Sequence, residues 1–341
     1  MNKKKVVGIV GPTASGKTAL SLLVAERLGG EILCMDSMQI YRGMDIGTAK
    51  PTAEEQARAP HHLHSFLNPD EAFSVSQYAR KARDVIERVN VPILVGGTGM
   101  YLQSLSLPMD YGAVGGDEGI RKKYHEIADT QGPEALHELL KRVDPLSAQK
   151  LHPNDMRRVV RALEVYDLTG VPLSSQKMPG PEDAPYDFQL YALDPPRNVL
   201  YSRVDQRVDE MMKQGLLEEV RKLKDSGLSP EAQSMQGLGY KELWPVLTGD
   251  MKLDDAVSLL KLRTRHYAKR QLTWFKRDER IQWLPWTPGQ DLRMLASVIC
   301  NRYENGDIIE RIDRGLAQAK RGEGMDAEAF EKELKQLFDF S

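Results

Sequence analysis

A glycine-rich segment near the start of the chain constrains the fold more than any other part of the sequence. Residues 11 to 18 read GPTASGKT, which matches the pattern GxxxxGK[ST]. The segment follows a short apolar run at 6 to 10 and opens a helix-compatible stretch at 17 to 28, the context in which this pattern binds phosphate. Its glycines let consecutive backbone N–H groups turn inward at the positive end of the helix. The sequence therefore predicts a P-loop that holds a diphosphate or a longer phosphate chain.

The residues of this loop have distinct predicted roles. Lys17 adds a full positive charge, and the hydroxyl of Thr18 suits Mg²⁺, which we expect as the cofactor. The predicted diphosphate-binding residues are Gly11, Pro12, Thr13, Ala14, Ser15, Gly16, Lys17 and Thr18.

Alternation of apolar runs with helical periodicity predicts an α/β fold. The strand candidates lie at 6–10, 31–36, 91–95, 188–193 and 280–286. The stretch from 74 to 89 has apolar residues at helical spacing, with arginines and lysines between them. The helices between consecutive strands imply parallel pairing. We therefore expect a P-loop doubly wound parallel five-stranded sheet.

The pattern changes in the middle and at the end of the chain, which predicts a division into domains. Residues 1–110 and 186–305 are assigned to a discontinuous P-loop catalytic core. Residues 111–185 have helical periodicity between two turn-rich segments, which predicts an all-helical insertion domain. Residues 306–341 carry mixed charge at helical spacing and are expected to form a helical tail.

Composition excludes several classes of protein. The 341 residues carry 47 Lys and Arg against 49 Asp and Glu, a net charge of −2, so any site for a polyanion must be a local patch. Cys34 and Cys300 lie far apart, which excludes a disulfide framework or a zinc knuckle. No run approaches the roughly eighteen apolar residues of a membrane span. We expect a cytoplasmic protein without membrane contact.

The P-loop motif alone does not specify which reaction takes place at the phosphate. In a kinase or an NTPase, the loop holds a nucleotide, and an Asp after another strand binds Mg²⁺. Asp36 follows the second predicted strand and fits that role, but an Asp at a strand end is as commonly the cap of a turn.

Further segments resemble a known family, the bacterial tRNA dimethylallyltransferases, also called isopentenyl-tRNA transferases. After the P-loop, the similar segments are DSMQIYRGMDIGTAK at 36–50, GGTGMYL at 96–102, NDMRRVVRALEVYDLTG at 154–170, GLGYKE at 237–242 and YAKRQLTWFKRD at 267–278. The blocks occur in the family's order and span about residues 4 to 286. This resemblance is far more specific than a P-loop alone.

The resemblance implies an activity. A dimethylallyl group moves from dimethylallyl diphosphate to N6 of the adenine that follows the anticodon in tRNA, and diphosphate is released. The P-loop then holds a leaving diphosphate and not a nucleotide. The residues in matching positions give Asp36 as the general base, and Lys17, Thr18 and Arg207 as the catalytic groups that stabilise the diphosphate.

By the same resemblance, the residues expected to contact tRNA are Asp36, Ser37, Met38, Gln39, Thr98, Arg121, Asn154, Asp155, Met156, Arg157 and Arg158. The expected partners are therefore tRNA and dimethylallyl diphosphate, with no obligate protein partner and a monomeric state.

A local basic segment fits an RNA partner. Residues 261–280 hold eight basic side chains against two acidic ones, a net charge of +6. Tyr267, Trp274 and Phe275 are interleaved with these charges and suit stacking on bases. Arg157 and Arg161 share one face of a predicted helix. The alternative is a helix with a solvated basic face and an aromatic core face.

One further motif, a group of three histidines, and two rival functions also bear on the interpretation. His61, His62 and His64 lie close in sequence, but neighbouring histidines on a loop seldom converge on one ion, and no metal is expected there. The chief rival function is a small-molecule or nucleotide kinase, and the second is a noncatalytic RNA-binding P-loop protein. The insertion of about 75 residues is larger than the lid of a typical kinase, which favours the transferase.

Overall fold

The structure, a computed structural model, describes residues 3–106, 116–175 and 183–320, with side chains described as far as residue 306. It divides into two compact units. The first, here called the P-loop unit, contains the chain up to Phe73, Arg80–Leu102 and the chain from Tyr186 onward. The second, the helical unit, contains Ser74–Ala79 and Gln103–Pro185. The predicted boundary at 110 and 111 lies outside the described residues.

One parallel sheet organises the P-loop unit. Its strands are β1 (Lys5–Val10), β2 (Glu31–Cys34), β3 (His61–His62), β4 (Pro92–Gly96), β5 (Asp187–Asp194) and β6 (Ile281–Pro285). The strand order is β3-β2-β4-β1-β5-β6, and every neighbouring pair is parallel. The α/β class and the parallel sheet are confirmed.

The expected count of five strands is wrong, because the described residues form six. The additional strand, β3, is only two residues long and consists of two histidines, so it has neither the length nor the apolar pattern that signals a strand. It pairs with Ile32 and Leu33 of β2 at the edge of the sheet.

Helices connect the strands of the sheet. In the described part of the chain the α-helices are α1 (Lys17–Leu28), α2 (Ala53–Arg58), α3 (Val75–Arg88), α4 (Gly99–Ser106), α5 (Glu118–Gln131), α6 (Pro133–Val143), α7 (Pro145–Lys150), α8 (Met156–Thr169), α9 (Arg197–Lys213), α10 (Leu216–Asp225), α11 (Tyr240–Thr248), α12 (Leu253–Phe275) and α13 (Leu292–Lys320). Among these helices, none is long and apolar enough to cross a membrane.

The core of the P-loop unit fixes the start of α1. Buried β1 and β5 side chains pack with Leu20, Val24 and the α13 residues Ile299 and Cys300. Leu20 and Val24 lie one helical turn apart, so one face of α1 is anchored from its first turn. The phosphate loop is therefore carried between a buried strand and a firmly packed helix.

The helical unit has a core of its own. Side chains of α5, α6, α7 and α8 form one buried cluster, in which Leu136, Leu140, Val159 and Leu163 are almost fully enclosed. The apolar residues on these helices recur at three- and four-residue spacing, which gives each helix one buried face.

Helix α13 crosses the predicted start of the tail. It runs from Leu292 to Lys320, and Asn305 inside it has φ −120° and ψ 21°, which is not helical. The predicted boundary at 305 and 306 thus falls at this kink. Residues 321–341 of the predicted tail lie outside the described residues, and the domain assignments as a whole stay predictions.

Candidate active site

The P-loop adopts a conformation that its glycines make possible. Gly11 and Gly16 have φ of 125° and 104°, values that a residue with a Cβ rarely adopts, and Ala14 between them has φ of 60°. The hydroxyl of Ser15 and the ammonium of Lys17 both donate to the carbonyl of Pro12, at 2.9 and 2.6 Å. The side chains of Ser15 and Lys17 thus fold back onto the start of the loop, which leads directly into α1.

The first turn of α1 is open toward an anion. Gly16 is the N-cap residue, and no side chain in the described part of the chain caps this helix. Its first backbone N–H groups therefore keep the partial positive charge that attracts phosphate. This local geometry fits the predicted diphosphate site.

Lys17 lies in an environment that weakens its charge. The pKa of Lys17 is lowered to about 7, mainly by burial of the ammonium and also by the positive charge of Arg207, while the Asp36 carboxylate acts in the opposite direction. The pKa of Arg207 is likewise lowered, mainly by burial, with Asp36 raising it. The structure thus brings together Lys17, Asp36 and Arg207, three of the four predicted catalytic residues.

A second arginine, Arg203, also reaches the loop. Its Nε donates to the carbonyl of Ala14 at 2.7 Å, and its guanidinium lies 5.0 Å from the ring centre of Trp286. Arg203 and Arg207 are one turn apart on α9, so the helix presents two guanidiniums to the site. Sequence reasoning missed Arg203; its spacing from Arg207 was the available signal.

Asp36 is held by the turn that follows β2. Its Oδ1 accepts hydrogen bonds from the backbone N–H groups of Met38 and Gln39, at 2.8 and 3.3 Å. Among the described residues, its Oδ2 has no hydrogen-bond partner. This arrangement satisfies the turn-cap interpretation of Asp36 and still leaves one carboxylate oxygen for a ligand.

Two phenols lie near this carboxylate. Burial raises the pKa of both Tyr101 and Tyr267, and the negative charge of Asp36 raises each of them further. Both side chains therefore remain neutral hydroxyls at physiological pH.

Thr98 is joined to the Asp36 turn. Its Oγ1 accepts from the backbone N–H of Ser37 at 3.2 Å, and its own N–H donates to the carbonyl of Met35 at 3.3 Å. A Cβ added to Gly96 would lie 2.0 Å from the Met35 oxygen, so only glycine allows this approach. The structure thus places Ser37 and Thr98, two of the predicted tRNA contacts, beside Asp36.

Gln39 has its side chain turned into the protein. Its amide nitrogen donates to the carbonyls of Thr48 and Ala49, at 3.0 and 3.1 Å, and its oxygen accepts from Cys34 at 3.2 Å. These bonds shape the 36–50 segment. The amide of Gln39, a predicted tRNA contact, is therefore used within the protein.

Another carboxylate, Glu219, holds the middle of this segment. It accepts from the backbone N–H groups of Asp45, Ile46 and Gly47 at 2.8, 2.8 and 3.0 Å, and from the Tyr240 hydroxyl at 2.7 Å. Three consecutive N–H groups form an anion-binding turn, and here the anion is part of the chain. Sequence reasoning missed Glu219, because its three backbone partners lie more than 170 positions away.

The basic segment is divided by its ion pairs. Lys261 pairs with Asp209 at 2.5 Å, Arg263 with buried Glu242 at 2.9 Å, Arg265 with Asp205 at 2.6 Å, and Arg280 with Asp278 at 2.6 Å. The other four basic residues, Lys269, Arg270, Lys276 and Arg277, have no carboxylate partner among the described residues. The free positive charge is therefore confined to the second half of the predicted segment.

A shallow depression lies along this half of α12. It has a volume of about 480 Å³ and is lined by His266, Lys269, Arg270, Thr273, Trp274 and Arg277. Trp274 is 39% exposed and packs so close to Gly99 that a Cβ there would lie 2.0 Å from the indole nitrogen. Phe275 is fully buried, so the expectation that it stacks on bases is wrong: it faces the core.

In the helical unit, Arg121 and Arg161 share one buried carboxylate. Arg121 Nε lies 2.7 Å from Oε1 of Glu164, and Arg161 lies 2.6 Å from its Oε2. The Glu164 side chain is fully buried, and its hydrogen bonds to the two arginines and to the backbone N–H of Asp117 outweigh burial and lower its pKa. Glu164 keeps Arg121 and Arg161 side by side. The sequence analysis did not predict this role of Glu164.

The segment from Asn154 to Arg158 forms the entry to α8. The Asn154 N–H donates to His152 at 3.2 Å, and Arg158 pairs with Asp155 at 3.2 Å. Arg157 is exposed, whereas Met156 packs against the core of the unit. Of these predicted contacts, Arg157 presents the clearest charge to solvent.

The three histidines each have a separate environment. His62 Nε2 lies 2.6 Å from Glu31, and His61 Nδ1 lies 2.7 Å from the Ala59 carbonyl. Burial lowers the pKa of His61 and of His64. Among the described residues, no group of three or more His, Cys, Asp or Glu is arranged to hold a metal ion.

Together these observations define a class: a P-loop protein whose phosphate loop faces two arginines and a strand-end carboxylate. The family model described as "IPP transferase" matches residues 39–278, and that described as "Isopentenyl transferase" matches residues 4–61. The chain belongs to the IPP transferase family. The resemblance inferred from the sequence motifs is confirmed.

Relatives and solved structures agree with this membership. The chain is 46% identical over 308 residues to a tRNA dimethylallyltransferase of Pelotomaculum thermopropionicum, with 89% of this chain and 98% of the relative covered. It is 48% identical over 309 residues to one of Geobacillus thermodenitrificans, with the same coverage of 89% and 98%.

Among solved structures, a full-length tRNA isopentenylpyrophosphate transferase of Bacillus halodurans is 40% identical, with a TM-score of 0.67 over 91% of this chain and 100% of that one. A eukaryotic dimethylallyltransferase acting on tRNA is 32% identical, with a TM-score of 0.77 over 90% and 80% of the two chains.

Proposed function

We propose that this protein transfers a dimethylallyl group from dimethylallyl diphosphate to N6 of the adenine that follows the anticodon in tRNA. The observation that carries the proposal is the grouping of Lys17 and Arg207 with Asp36 at the P-loop. A cationic phosphate loop next to a carboxylate fits a reaction in which diphosphate leaves while an amine loses a proton. The family membership supports the same activity.

On the donor side, the reaction breaks the bond between the allylic carbon and the diphosphate oxygen. The electron pair of that bond stays on the oxygen, so negative charge grows on the leaving group. In our proposal, Lys17, Arg207 and the N–H groups at the start of α1 stabilise that charge. Arg203 holds the Ala14 carbonyl and so keeps the loop in its curled form.

On the acceptor side, N6 of adenine forms the new bond to the allylic carbon. The amine is a weak nucleophile, because its lone pair is delocalised into the ring, and it must lose a proton as the bond forms. In our proposal this proton goes to Oδ2 of Asp36, while Oδ1 stays bound to the turn. The hydroxyl of Thr98 orients the Asp36 turn through the Ser37 N–H.

Mg²⁺ is the cofactor we propose, and the donor set at the loop fits it. The Thr18 side chain is exposed at the start of α1, and Mg²⁺ is commonly bound by one protein oxygen together with phosphate oxygens and water. Thr18 would hold the ion, which when bound neutralises part of the diphosphate charge.

Two surfaces are proposed to bind the tRNA. One is the group of basic residues at the end of α12 and just after it that have no carboxylate partner among the described residues: Lys269, Arg270, Lys276 and Arg277. The other belongs to the helical unit and includes Arg121, Arg157, Arg158 and Arg161. Cationic side chains of this density suit a phosphate backbone. Because its substrate would be tRNA, we also propose that the protein acts in the cytoplasm. We further propose that it acts as a monomer.

The test of the proposed function is a mass measurement on the RNA. The protein is incubated with tRNA and Mg²⁺ and with either dimethylallyl diphosphate or ATP, and the tRNA is weighed by mass spectrometry. We expect the mass gain of one dimethylallyl group with the first donor and no change with ATP. ATP-dependent phosphorylation of any partner, with no gain on tRNA, would establish the kinase alternative.

A further inference from the structure

The side-chain amide of Gln271 uses both its polar atoms to join two loops. Its Oε1 accepts from the backbone N–H of Thr13 at 2.8 Å, and its Nε2 donates to the carbonyl of Gly97 at 3.0 Å. Gln271 lies on α12 and is 6% exposed. Because a buried amide is costly unless both ends are hydrogen-bonded, this arrangement is a specific one.

The two loops belong to opposite sides of the proposed reaction. Thr13 is part of the P-loop, where the diphosphate would be held. Gly97 precedes Thr98, whose Oγ1 accepts from the Ser37 N–H next to Asp36. One amide thus connects the loop for the leaving group to the turn that carries the proposed base.

The position of the Gln271 amide explains why residue 97 is a glycine. A Cβ built on Gly97 would lie 2.1 Å from Nε2 of Gln271, which is far inside contact distance. Gly97 is not among the glycines with positive φ, so its backbone conformation does not itself require glycine. The absent side chain at position 97 therefore makes room for the Gln271 amide.

We propose that Gln271 is a positioning residue for the transfer reaction, which sets the separation between the diphosphate loop and the Asp36–Thr98 side. This inference rests on the proposed function. A misplacement of about 1 Å between reacting groups can cost on the order of 10²-fold in rate. Gln271 touches neither reacting atom, so its loss should slow the chemical step more than it weakens substrate binding.

The first test replaces the amide with an apolar side chain of similar length. Gln271→Met removes both hydrogen bonds, and Gln214→Met makes the same change at an exposed position after α9. With saturating dimethylallyl diphosphate and tRNA, we expect Gln271→Met to lower the single-turnover rate about 10- to 100-fold. The Kd values for tRNA and for inorganic diphosphate should change less than about threefold, and Gln214→Met should match the parent.

A second test uses the close contact with Gly97. Gly97→Ala in the parent should cost about 10²-fold in rate, because the new Cβ displaces the amide. In a Gln271→Ala background the same change should cost only a few-fold, since the displaced group is gone. Rates are expressed per site that binds diphosphate, so a loss of folded protein does not mimic the effect.

The outcomes separate the two proposals. A parent that adds no dimethylallyl group to tRNA overturns the proposed function and this inference with it. If the parent is active, either of two results overturns this inference alone. The first is a Gln271→Met variant that transfers within threefold of the parent rate. The second is a Gly97→Ala change that lowers the rate by the same factor in the parent and in the Gln271→Ala background.

Discussion

At the scale of single residues, Lys17 is proposed to bind the diphosphate through its positive charge, but its surroundings disfavour that charge. Its pKa of about 7 means that, before diphosphate binds, the ammonium loses its proton as the pH rises through neutrality. A bound diphosphate favours the charged form and should raise this pKa again. Binding above pH 7 must therefore take up a proton.

This makes donor affinity dependent on pH in one direction. From pH 7.5 to 9, above the last phosphate ionisation near 6, the Kd for dimethylallyl diphosphate should rise with pH by up to about tenfold per unit. Calorimetry in buffers of different ionisation enthalpy should detect proton uptake that approaches one per diphosphate. Lys17→Met should bind more weakly and abolish the uptake; an unchanged uptake in that variant would assign it to another group.

The proposed base can be tested by a substitution that keeps its size. Asp36→Asn can still accept the Met38 and Gln39 N–H bonds, but it cannot take a proton from the amine. Because a positioned general base is typically worth about 10² to 10⁴ in rate, we expect the single-turnover rate to fall by that factor while the donor stays bound.

The matched control is Asp70→Asn, an exposed carboxylate in a loop of the same unit, which should transfer at the parent rate. If Asp36→Asn stayed within a few-fold of the parent, positioning and diphosphate stabilisation alone would have to account for catalysis.

The residues that sequence could predict are those whose role follows from local context. Lys17 belongs to a contiguous motif, and Asp36 and Arg207 match segments of the family. Gln271 and Arg203 act on the P-loop from 258 and 189 positions away, and no local pattern encodes such a pairing. Only the fold brings those side chains to the loop.

At the scale of elements, α12 separates two uses of positive charge. Its first half places Lys261, Arg263 and Arg265 against carboxylates of α9 and α11, where they hold helices together. Its second half carries the basic residues that line the depression beside Trp274. The sequence predicted the total charge of the segment but could not divide it, because the acidic partners lie on other helices.

The paired and unpaired basic residues of this segment should contribute differently to the salt dependence of tRNA binding. Each phosphate contact that is lost should lower the slope of log Kd against log salt by about 0.7 to 0.9. Replacing Lys269 and Arg277 with Ala should therefore flatten the slope by about 1.4 to 1.8. Lys261→Ala, which removes a charge already paired with Asp209, should leave the slope unchanged. Equal slopes for all three proteins would favour a solvated basic face with no RNA contact.

Strand length explains which elements were predictable. The five strands of four to eight residues each have apolar runs and were predicted within a few residues. The sixth strand, His61–His62, owes its existence to pairing with β2 at the sheet edge and has no signal of its own. Tertiary context therefore decided the one strand of the described sheet that the sequence missed.

At the scale of the whole molecule, the chain assigns its two proposed ligands to different groups of residues. Lys17, Arg203 and Arg207 gather at the P-loop, whereas Arg157 and Arg158 lie at the start of α8 in a unit with a separate core. A unit with its own buried cluster can lose surface charge without loss of packing elsewhere. Binding of donor and binding of tRNA should therefore respond to different substitutions.

The prediction is a reciprocal pattern of two variants. Lys17→Ala should weaken binding of dimethylallyl diphosphate at pH 6.5, where the Lys17 charge is largely present, and leave tRNA affinity within about twofold. Arg157→Ala with Arg158→Ala should do the opposite, because both arginines are exposed and a surface pair such as that of Arg158 with Asp155 leaves the arginine available to the phosphate backbone. Filter binding with labelled tRNA and calorimetry with the donor measure the two affinities, and melting curves show whether each variant is folded. The contrary result is an arginine variant that melts like the parent but loses donor affinity as strongly as tRNA affinity. Arg157 and Arg158 would then act on the donor site as well, and the assignment of one ligand to each group would be wrong.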